Sequence, residues 1–114
     1  MKAYVKDKNI LISNNIKQAL SIKDRVIGLM FKKSLNFNEG LLLSPCNSIH
    51  TCFMRFPIDV VFIDKNNKVL NIIHSMRPWK FSLIYFKSKK VLELNGNTLP
   101  LEVRVGDTLE FTNV

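Results

Sequence analysis

The chain has 114 residues, of which 46% are hydrophobic and 23% are charged. This size and balance fit one domain, residues 1–114, with a single modest core, and they suggest neither a disordered chain nor two domains joined by a linker. The formal net charge of +8 favours anionic partners, either a small anionic ligand or a protein partner.

Two features of the sequence bear on the compartment in which the protein works. No apolar run approaches the roughly 18 residues of a membrane-spanning helix, and the N-terminal residues lack the apolar run of a signal peptide. Cys46 and Cys52 are too few for a disulfide framework and fit reduced thiols. We therefore expect a soluble, cytoplasmic protein with no membrane span.

The first predicted element with a clear signal is a helix from Ser21 to Phe31. Ser21 and Asp24 form a capping-box-like pair at its start, and Gly28 interrupts it at a cost of about 1 kcal/mol relative to Ala. Apolar residues recur at helical spacing, so we expect one face to pack inward, formed by Ile22, Val26, Leu29 and Met30.

The other predicted elements are short strands separated by turn residues. They cover residues 3–5, 9–13, 40–43, 48–54, 59–63, 68–73, 90–94 and 108–111. Many short strands with one helix near the N-terminus predict a mainly β fold, a single-domain sandwich or jelly-roll-like barrel.

Side chains that could bind a ligand or take part in a reaction are concentrated between residues 46 and 59. If residues 48–54 are extended, alternation places Ser48, His50, Cys52 and Met54 on one face. An imidazole can transfer protons near neutral pH and a neighbouring hydroxyl can orient a substrate. Together with the loop 77–79, this segment predicts the polar cleft of a binding or interaction module, with the ligand-binding residues Cys46, His50, Thr51, Arg55, Asp59, Arg77 and Trp79.

Other interpretations of this segment stay open. A small hydrolase or transferase would use His50 with Cys46 or Asp59, so the sequence does not decide whether the chain is an enzyme. A structural role fits as well, because an Asp beside a Pro commonly accepts backbone hydrogen bonds and a lone His on a β face is usually a satisfied structural residue. Arg25, in the predicted helix, either binds an anion, pairs with groups around Asp24 or pairs with Asp59.

The potential metal ligands are Cys46, His50, Cys52 and His74. Neither a CxxC nor an HxxxH spacing is present to preorganise a zinc site. We therefore expect no metal and no cofactor.

The segment 77–90 interleaves aromatic and basic residues in the order RPWKFSLIYFKSKK. A protein that binds single-stranded nucleic acid would stack bases on such aromatic rings and neutralise phosphates with such lysines. This gives a third alternative, a basic nucleic-acid-binding protein. The simpler interpretation, which the sequence favours, is a buried strand over Phe81–Phe86 approached by a basic loop.

Several motifs in order resemble those of the domain of unknown function 192 family. They are RVIGLMFKKSL, EGLLL, IHTCFMRFPIDVVFID and VLEL, followed by Gly96 and by Gly106-Asp107. The resemblance covers the chain from about Ser21 to its end and implies a small β-rich fold with one helix near the start. Many members have a Trp before the Met and an Asn-Thr pair after it, whereas this chain has Phe53-Met54 followed by Arg55-Phe56. The family implies no established biochemical function.

Overall fold

A computed structural model describes residues 1–30, 32–36 and 38–113 of the chain. The strands and the helix of these residues, in chain order, are β1 (Lys2–Val5), β2 (Ile10–Ser13), β3 (Asn15–Ala19), α1 (Ile22–Ile27), β4 (Glu39–Leu43), β5 (Ile58–Ile63), β6 (Val69–Met76), β7 (Lys90–Asn95) and β8 (Leu109–Thr112).

The strands form two sheets. In the three-stranded sheet β1 lies between β2 and β8, and both pairs are antiparallel. The five-stranded sheet has the order β3-β4-β7-β5-β6, in which β3 and β4 are parallel and the other neighbours are antiparallel. The predicted mainly β sandwich with one helix near the N-terminus is confirmed, and the described strands do not close into a barrel.

A first core cluster lies between the two sheets. It joins Val5 and Leu109 of the three-stranded sheet with Val61, Leu92 and Leu94 of the five-stranded sheet. All of these side chains are at most 2% exposed. Since the apolar side chains of both sheets meet here, this cluster holds the sandwich together.

A second core cluster covers the opposite face of the five-stranded sheet. Val60 and Phe62 of β5 belong to it, whereas Val61 belongs to the first cluster, as the alternation of side chains along a strand requires. Leu29 and Ile49, from the segments after α1 and β4, pack on it from outside. Because both faces of β5 are covered, every residue from Ile58 to Ile63 is buried.

The helix is shorter and less buried than the sequence predicts. Ser21 caps it as expected, since its Oγ accepts a hydrogen bond from the Asp24 N–H at 3.0 Å. The helix ends at Ile27 because Gly28 turns to a φ of +48°. The prediction of an inward-packed face is wrong for α1, none of whose residues is buried, although Leu29 just beyond it is. The predicted terminus at Phe31 lies outside the described residues.

The predicted strand over residues 48–54 is wrong. His50 forms one isolated bridge with Phe81, and the chain then turns at Cys52 and Phe53, with Phe53 at a φ of +63°. The Met54 N–H closes this turn on the Thr51 carbonyl at 3.2 Å. Ile49 and Thr51 are buried while His50 is half-buried, so the shared face proposed for His50, Cys52 and Met54 does not form.

Two other regions differ from the sequence prediction. Residues 81–86 are not a buried strand, because Phe81, Leu83, Ile84 and Phe86 are exposed. Strand β3, Asn15–Ala19, was not predicted, since its polar residues show little strand signal; it forms at the edge of the sheet by pairing with β4. The remaining predicted strands overlap β1, β2 and β4 to β8.

None of the helices within residues 1–30, 32–36 and 38–113 has the length and apolar character needed to cross a lipid bilayer.

Candidate functional site

A cavity of about 330 Å³ opens between α1 and the segment that follows β4. Its walls are mainly apolar, and its polar side chains come from the helix, from the 46–50 segment and from β7. The lining residues are Ile22, Arg25, Val26, Ile27, Gly28, Leu29, Met30, Leu43, Pro45, Cys46, Asn47, Ser48, Ile49, His50, Met54 and Glu93.

Glu93 is placed in this cavity by the alternation of β7. Leu92 and Leu94 point into the first core cluster, so Glu93 points to the opposite face, together with Val91 of the second cluster. Its cross-strand neighbours are Leu41 of β4 and Val60 of β5, which offer no polar side chain. Strand pairing therefore fixes an acid in an apolar setting.

The carboxyl group of Glu93 is buried and incompletely satisfied. The residue is 3% exposed, and among the described residues none makes a hydrogen bond to its Oε1 atom. Burial raises the pKa of Glu93 from its ordinary 4.5 to about 8. The carboxyl is therefore mainly protonated at neutral pH, when it can both donate and accept a hydrogen bond.

Gly28 lies directly beside this carboxyl. A Cβ atom built on Gly28 would stand 3.5 Å from Glu93 Oε1. The glycine N–H donates to the Asp24 carbonyl at 2.8 Å, which completes the last turn of α1 before the chain leaves the helix. The absence of a side chain at this position, together with its positive φ, lets the backbone at the end of α1 lie close to the Glu93 carboxyl.

Arg25 supplies the positive charge of the cavity lining. Its Nη1 donates to the Leu20 carbonyl at 2.5 Å and reaches the Ser44 carbonyl at 3.5 Å, so the guanidinium connects the helix to the end of β4. The residue is half-buried, and its charge favours the ionised Cys46 thiol, an effect smaller than the opposing effect of burial on the pKa of that thiol. Arg25 does not pair with Asp59, whose oxygens are used elsewhere.

Cys46 and His50 are the two predicted site residues that line the cavity. The Cys46 thiol donates to the Ser48 carbonyl at 3.1 Å, and burial is the main cause that raises its pKa. His50 Nδ1 accepts the Cys52 N–H at 3.1 Å, which makes Nδ1 the unprotonated nitrogen of the neutral ring. A thiol with a raised pKa is a poor nucleophile near neutral pH.

Asp59 and Thr51 occupy buried backbone-binding positions away from the cavity lining. Asp59 Oδ1 accepts the N–H groups of Ser75 and Asn97 at 2.8 and 3.1 Å, and Oδ2 accepts that of Leu99 at 2.9 Å. Thr51 Oγ1 donates to the carbonyl of residue 77 at 2.6 Å and accepts the N–H of residue 80 at 2.9 Å. Both side chains join segments that are distant in sequence.

The remaining predicted site residues lie on the surface. Arg55, Arg77 and Trp79 are exposed, and the Trp79 ring lies 4.6 Å from that of Phe53. None of the three lines the cavity. The cavity lining thus includes Cys46 and His50 with Arg25, whereas the loop 77–79 hydrogen-bonds to residue 51 and does not line this cavity.

Glu93 was missed by the sequence prediction, although it carried a signal. It interrupts the apolar strand VLEL, in which a charge is unexpected if both faces of the strand are covered. The four potential metal ligands do not gather either: within the described part of the chain, no group of three or more His, Cys, Asp or Glu side chains is arranged to hold a metal ion.

Comparison with known families identifies the class to which this fold and cavity belong. The sequence model of DUF192, described as an uncharacterised ACR, matches residues 4–111. The chain is therefore a member of the DUF192 family, as its motifs suggested.

Similar sequences carry the family name UPF0127. A UPF0127 protein of Pyrococcus furiosus is 35% identical over 79% of this chain and 80% of its own length, and one of Pyrococcus horikoshii is 33% identical over 75% and 76%.

Two solved structures share the fold. A protein of unknown function from Novosphingobium aromaticivorans has a TM-score of 0.85 at 22% identity and covers 97% of this chain and 84% of its own. A Sinorhizobium meliloti protein proposed as a transcription regulator has a TM-score of 0.73 at 25% identity and covers 83% and 79%. These likenesses establish the fold and leave the ligand open.

Proposed function

We propose that this chain is a single-domain binding module, residues 1–114, that takes a small organic anion into the cavity between α1 and β7. The observation that carries the proposal is the buried Glu93 carboxyl on the cavity wall, whose Oε1 has no hydrogen-bond partner among the described residues. Buried polar groups without partners are uncommon because losing water costs free energy, so a bound molecule is a reasonable source of the missing hydrogen bond.

The size and walls of the cavity suit a small ligand with an apolar part. Its volume of about 330 Å³ is at the lower end of the range of about 300–1,000 Å³ typical of ligand sites. Ile22 and Val26 of α1 line the cavity, and their side chains are 73% and 59% exposed to solvent. Contact with them would remove apolar surface from water, which favours binding.

The charges of the cavity favour an anion over a cation. With its pKa near 8, Glu93 is mainly neutral at pH 7 and offers an O–H donor, while Arg25 supplies a full positive charge. A cationic ligand would require ionisation of Glu93 and would approach both Arg25 and a chain of net charge +8. A carboxylate fits both groups.

This proposal modifies the site predicted from sequence. It keeps Cys46 and His50, adds Arg25 and Glu93, and leaves Thr51, Arg55, Asp59, Arg77 and Trp79 outside the cavity. The hydrolase or transferase alternative has less support, because the Cys46 thiol donates to the Ser48 carbonyl and the carboxylate oxygens of Asp59 accept backbone N–H groups. The nucleic-acid alternative depends on the segment 77–90, which is not part of this site.

We also propose the cytoplasm as the compartment. Cys46 and Cys52 are free thiols, and a reducing compartment preserves them in that form.

The test compares three probes of equal chain length: hexanoate, 1-hexanol and hexylammonium. Binding is followed by amide chemical shifts in nuclear magnetic resonance spectra, with Gly28 and Cys46 as reporters on the cavity wall. We expect hexanoate to bind most tightly at pH 7 and hexylammonium least. Tightest binding of hexylammonium, or equal shifts far from the cavity for all three probes, would contradict the proposal.

Matched arginine variants sharpen the test. Arg25→Gln should weaken hexanoate binding by about 10- to 150-fold, since a charge-assisted hydrogen bond is worth about 1.5–3 kcal/mol, and should leave 1-hexanol binding unchanged. Arg55→Gln makes the same chemical change at an exposed position outside the cavity, so it should alter neither probe. If Arg55→Gln has the larger effect, the site lies where the sequence alone placed it.

A further inference from the structure

A surface distinct from the cavity is formed by residues 79–86, here called the apolar segment. Trp79, Phe81, Leu83, Ile84 and Phe86 are each more than half exposed, and Phe86 reaches 82%. Large apolar side chains gathered on a surface in this way mark a site of interaction with another molecule or a membrane.

The exposure is imposed by a well-anchored backbone. The N–H groups of Trp79, Ser82 and Tyr85 donate to the carbonyls of residues 51, 49 and 47 at 2.9, 2.9 and 2.8 Å. The Tyr85 ring packs against Phe62 with centroids 4.4 Å apart, and its hydroxyl accepts a hydrogen bond from an Asn71 amide at 2.6 Å. The segment is therefore attached by Ser82 and Tyr85 and presents its large apolar side chains outward.

The charge around the apolar segment is positive. The sequence contains no acidic residue from position 65 to position 92, and Lys80, Lys87 and Lys89 are exposed. Lys87 and Lys89 also line a shallow depression next to Phe86, together with Lys65 and Asp64. Asp64 Oδ1 already accepts the N–H groups of residues 66 and 68, so the lysines determine what this depression attracts.

We propose that the apolar segment is a docking surface for an anionic phospholipid bilayer. Its aromatic and aliphatic side chains would enter the boundary between headgroups and acyl chains, and Lys80, Lys87 and Lys89 would remain at the level of the lipid phosphates. Trp79 has the amphipathic ring that is enriched at this boundary.

Other partners fit this surface less well. Stacking on nucleic-acid bases would use the rings of Phe81 and Phe86 but not the aliphatic Leu83 and Ile84, which have no π face. Lysine is depleted from the centres of protein interfaces, yet it surrounds this segment. A second copy of the chain would bring two surfaces of the same positive charge together.

The chain's own fluorescence provides the test, because Trp79 is its single tryptophan. The full chain is mixed with vesicles of phosphatidylcholine alone or with about one third phosphatidylserine. We expect a blue shift of the emission and protection from acrylamide with the anionic vesicles, both reversed by high salt. Unchanged emission with both vesicle types would overturn the proposal.

Variants distinguish insertion of the apolar segment into the bilayer from nonspecific adsorption of the chain to vesicles. Leu83→Ser should weaken sedimentation with the anionic vesicles by about tenfold, whereas Leu101→Ser, which alters a leucine of similar exposure outside the segment, should have little effect. Lys87→Gln should weaken it by about fivefold and the exposed Lys6→Gln clearly less. Equal effects of the two leucine variants would refute docking through the apolar segment.

Competition with oligouridine and a measurement of the oligomeric state test the two other partners, single-stranded nucleic acid and a second copy of the chain. Oligouridine at near-physiological salt should not displace the chain from the vesicles and should not change Trp79 emission. Displacement with quenching but no blue shift would reassign the surface to single-stranded nucleic acid. A dimer in sedimentation analysis that Leu83→Ser dissociates would reassign it to self-association.

Discussion

The two faces of the five-stranded sheet are built from alternate residues of the same strands, yet only one of them is closed. On one face, Leu92 and Leu94 meet the three-stranded sheet, and the first core cluster is apolar throughout. On the other, Val91 packs with side chains from irregular segments, such as Leu29 and Ile49, and α1 borders the cavity that Glu93 lines. A second sheet provides a continuous set of side chains to fill the space, whereas the short helix and loops leave the cavity open.

The largest expected effect is a pH dependence of the free energy of unfolding that comes from Glu93, on the open face of the sheet. Glu93 is neutral in the folded chain up to its pKa of about 8, while in the unfolded chain it ionises near 4.5. Between these values the unfolded chain binds fewer protons, so the free energy of unfolding falls as pH rises, by up to about 4 kcal/mol in total. Denaturant unfolding from pH 4.5 to 8.5 measures this decline.

Glu93→Gln is the variant that isolates this contribution, because it keeps the shape of the side chain and cannot ionise. The difference in unfolding free energy between the variant and the natural chain should grow with pH over this window. Curves that stay parallel would mean that the folded chain holds Glu93 in its ordinary ionised form.

The closed face should be the more sensitive to loss of volume. Leu92→Ala removes a fully buried side chain and should lower the free energy of unfolding by about 3 kcal/mol. Val26→Ala, on the cavity side, changes an exposed residue and should cost under about 0.5 kcal/mol. Denaturant midpoints at pH 7 compare the two; a similar loss for both would show that the cavity wall is packed like the core.

A smaller contrast distinguishes scaffold from site among the residues chosen from sequence. Asp59→Asn should destabilise by about 2 kcal/mol, since an amide replaces one carboxylate oxygen that accepts a buried N–H. His50→Ala should cost about 1 kcal/mol or less, because the half-buried ring accepts a single backbone N–H. Thermal unfolding ranks them, and a larger loss for His50→Ala would assign the histidine to the core.

Local sequence signals predicted the parts of the fold that depend on neighbouring residues. The Ser21 cap is formed by contacts within one turn, and the apolar run of β5 needs only burial on both faces. The inward packing of Ile22 and Val26 was wrong because helical spacing identifies an apolar face without stating whether another element fills the space opposite it.

The site and the apolar segment depended on contacts that are distant in sequence. From the sequence alone, Glu93 could lie on a solvent-exposed face of its strand. Only the structure shows that segments around Leu29 and Ile49 cover that face. An apolar run such as 81–86 is equally compatible with a buried strand and with an exposed loop. The backbone hydrogen bonds to residues 47–51, which decide between them, have no signature in either segment alone.

Gly28 determines both where α1 ends and what lies beside the Glu93 carboxyl. Its positive φ ends α1, and its missing side chain lets the backbone lie close to Glu93 Oε1. Any other residue there would strain the backbone and would also place a carbon atom in van der Waals contact with the carboxyl oxygen. A substitution at this one position would therefore alter the end of the helix and the surroundings of the buried acid at the same time.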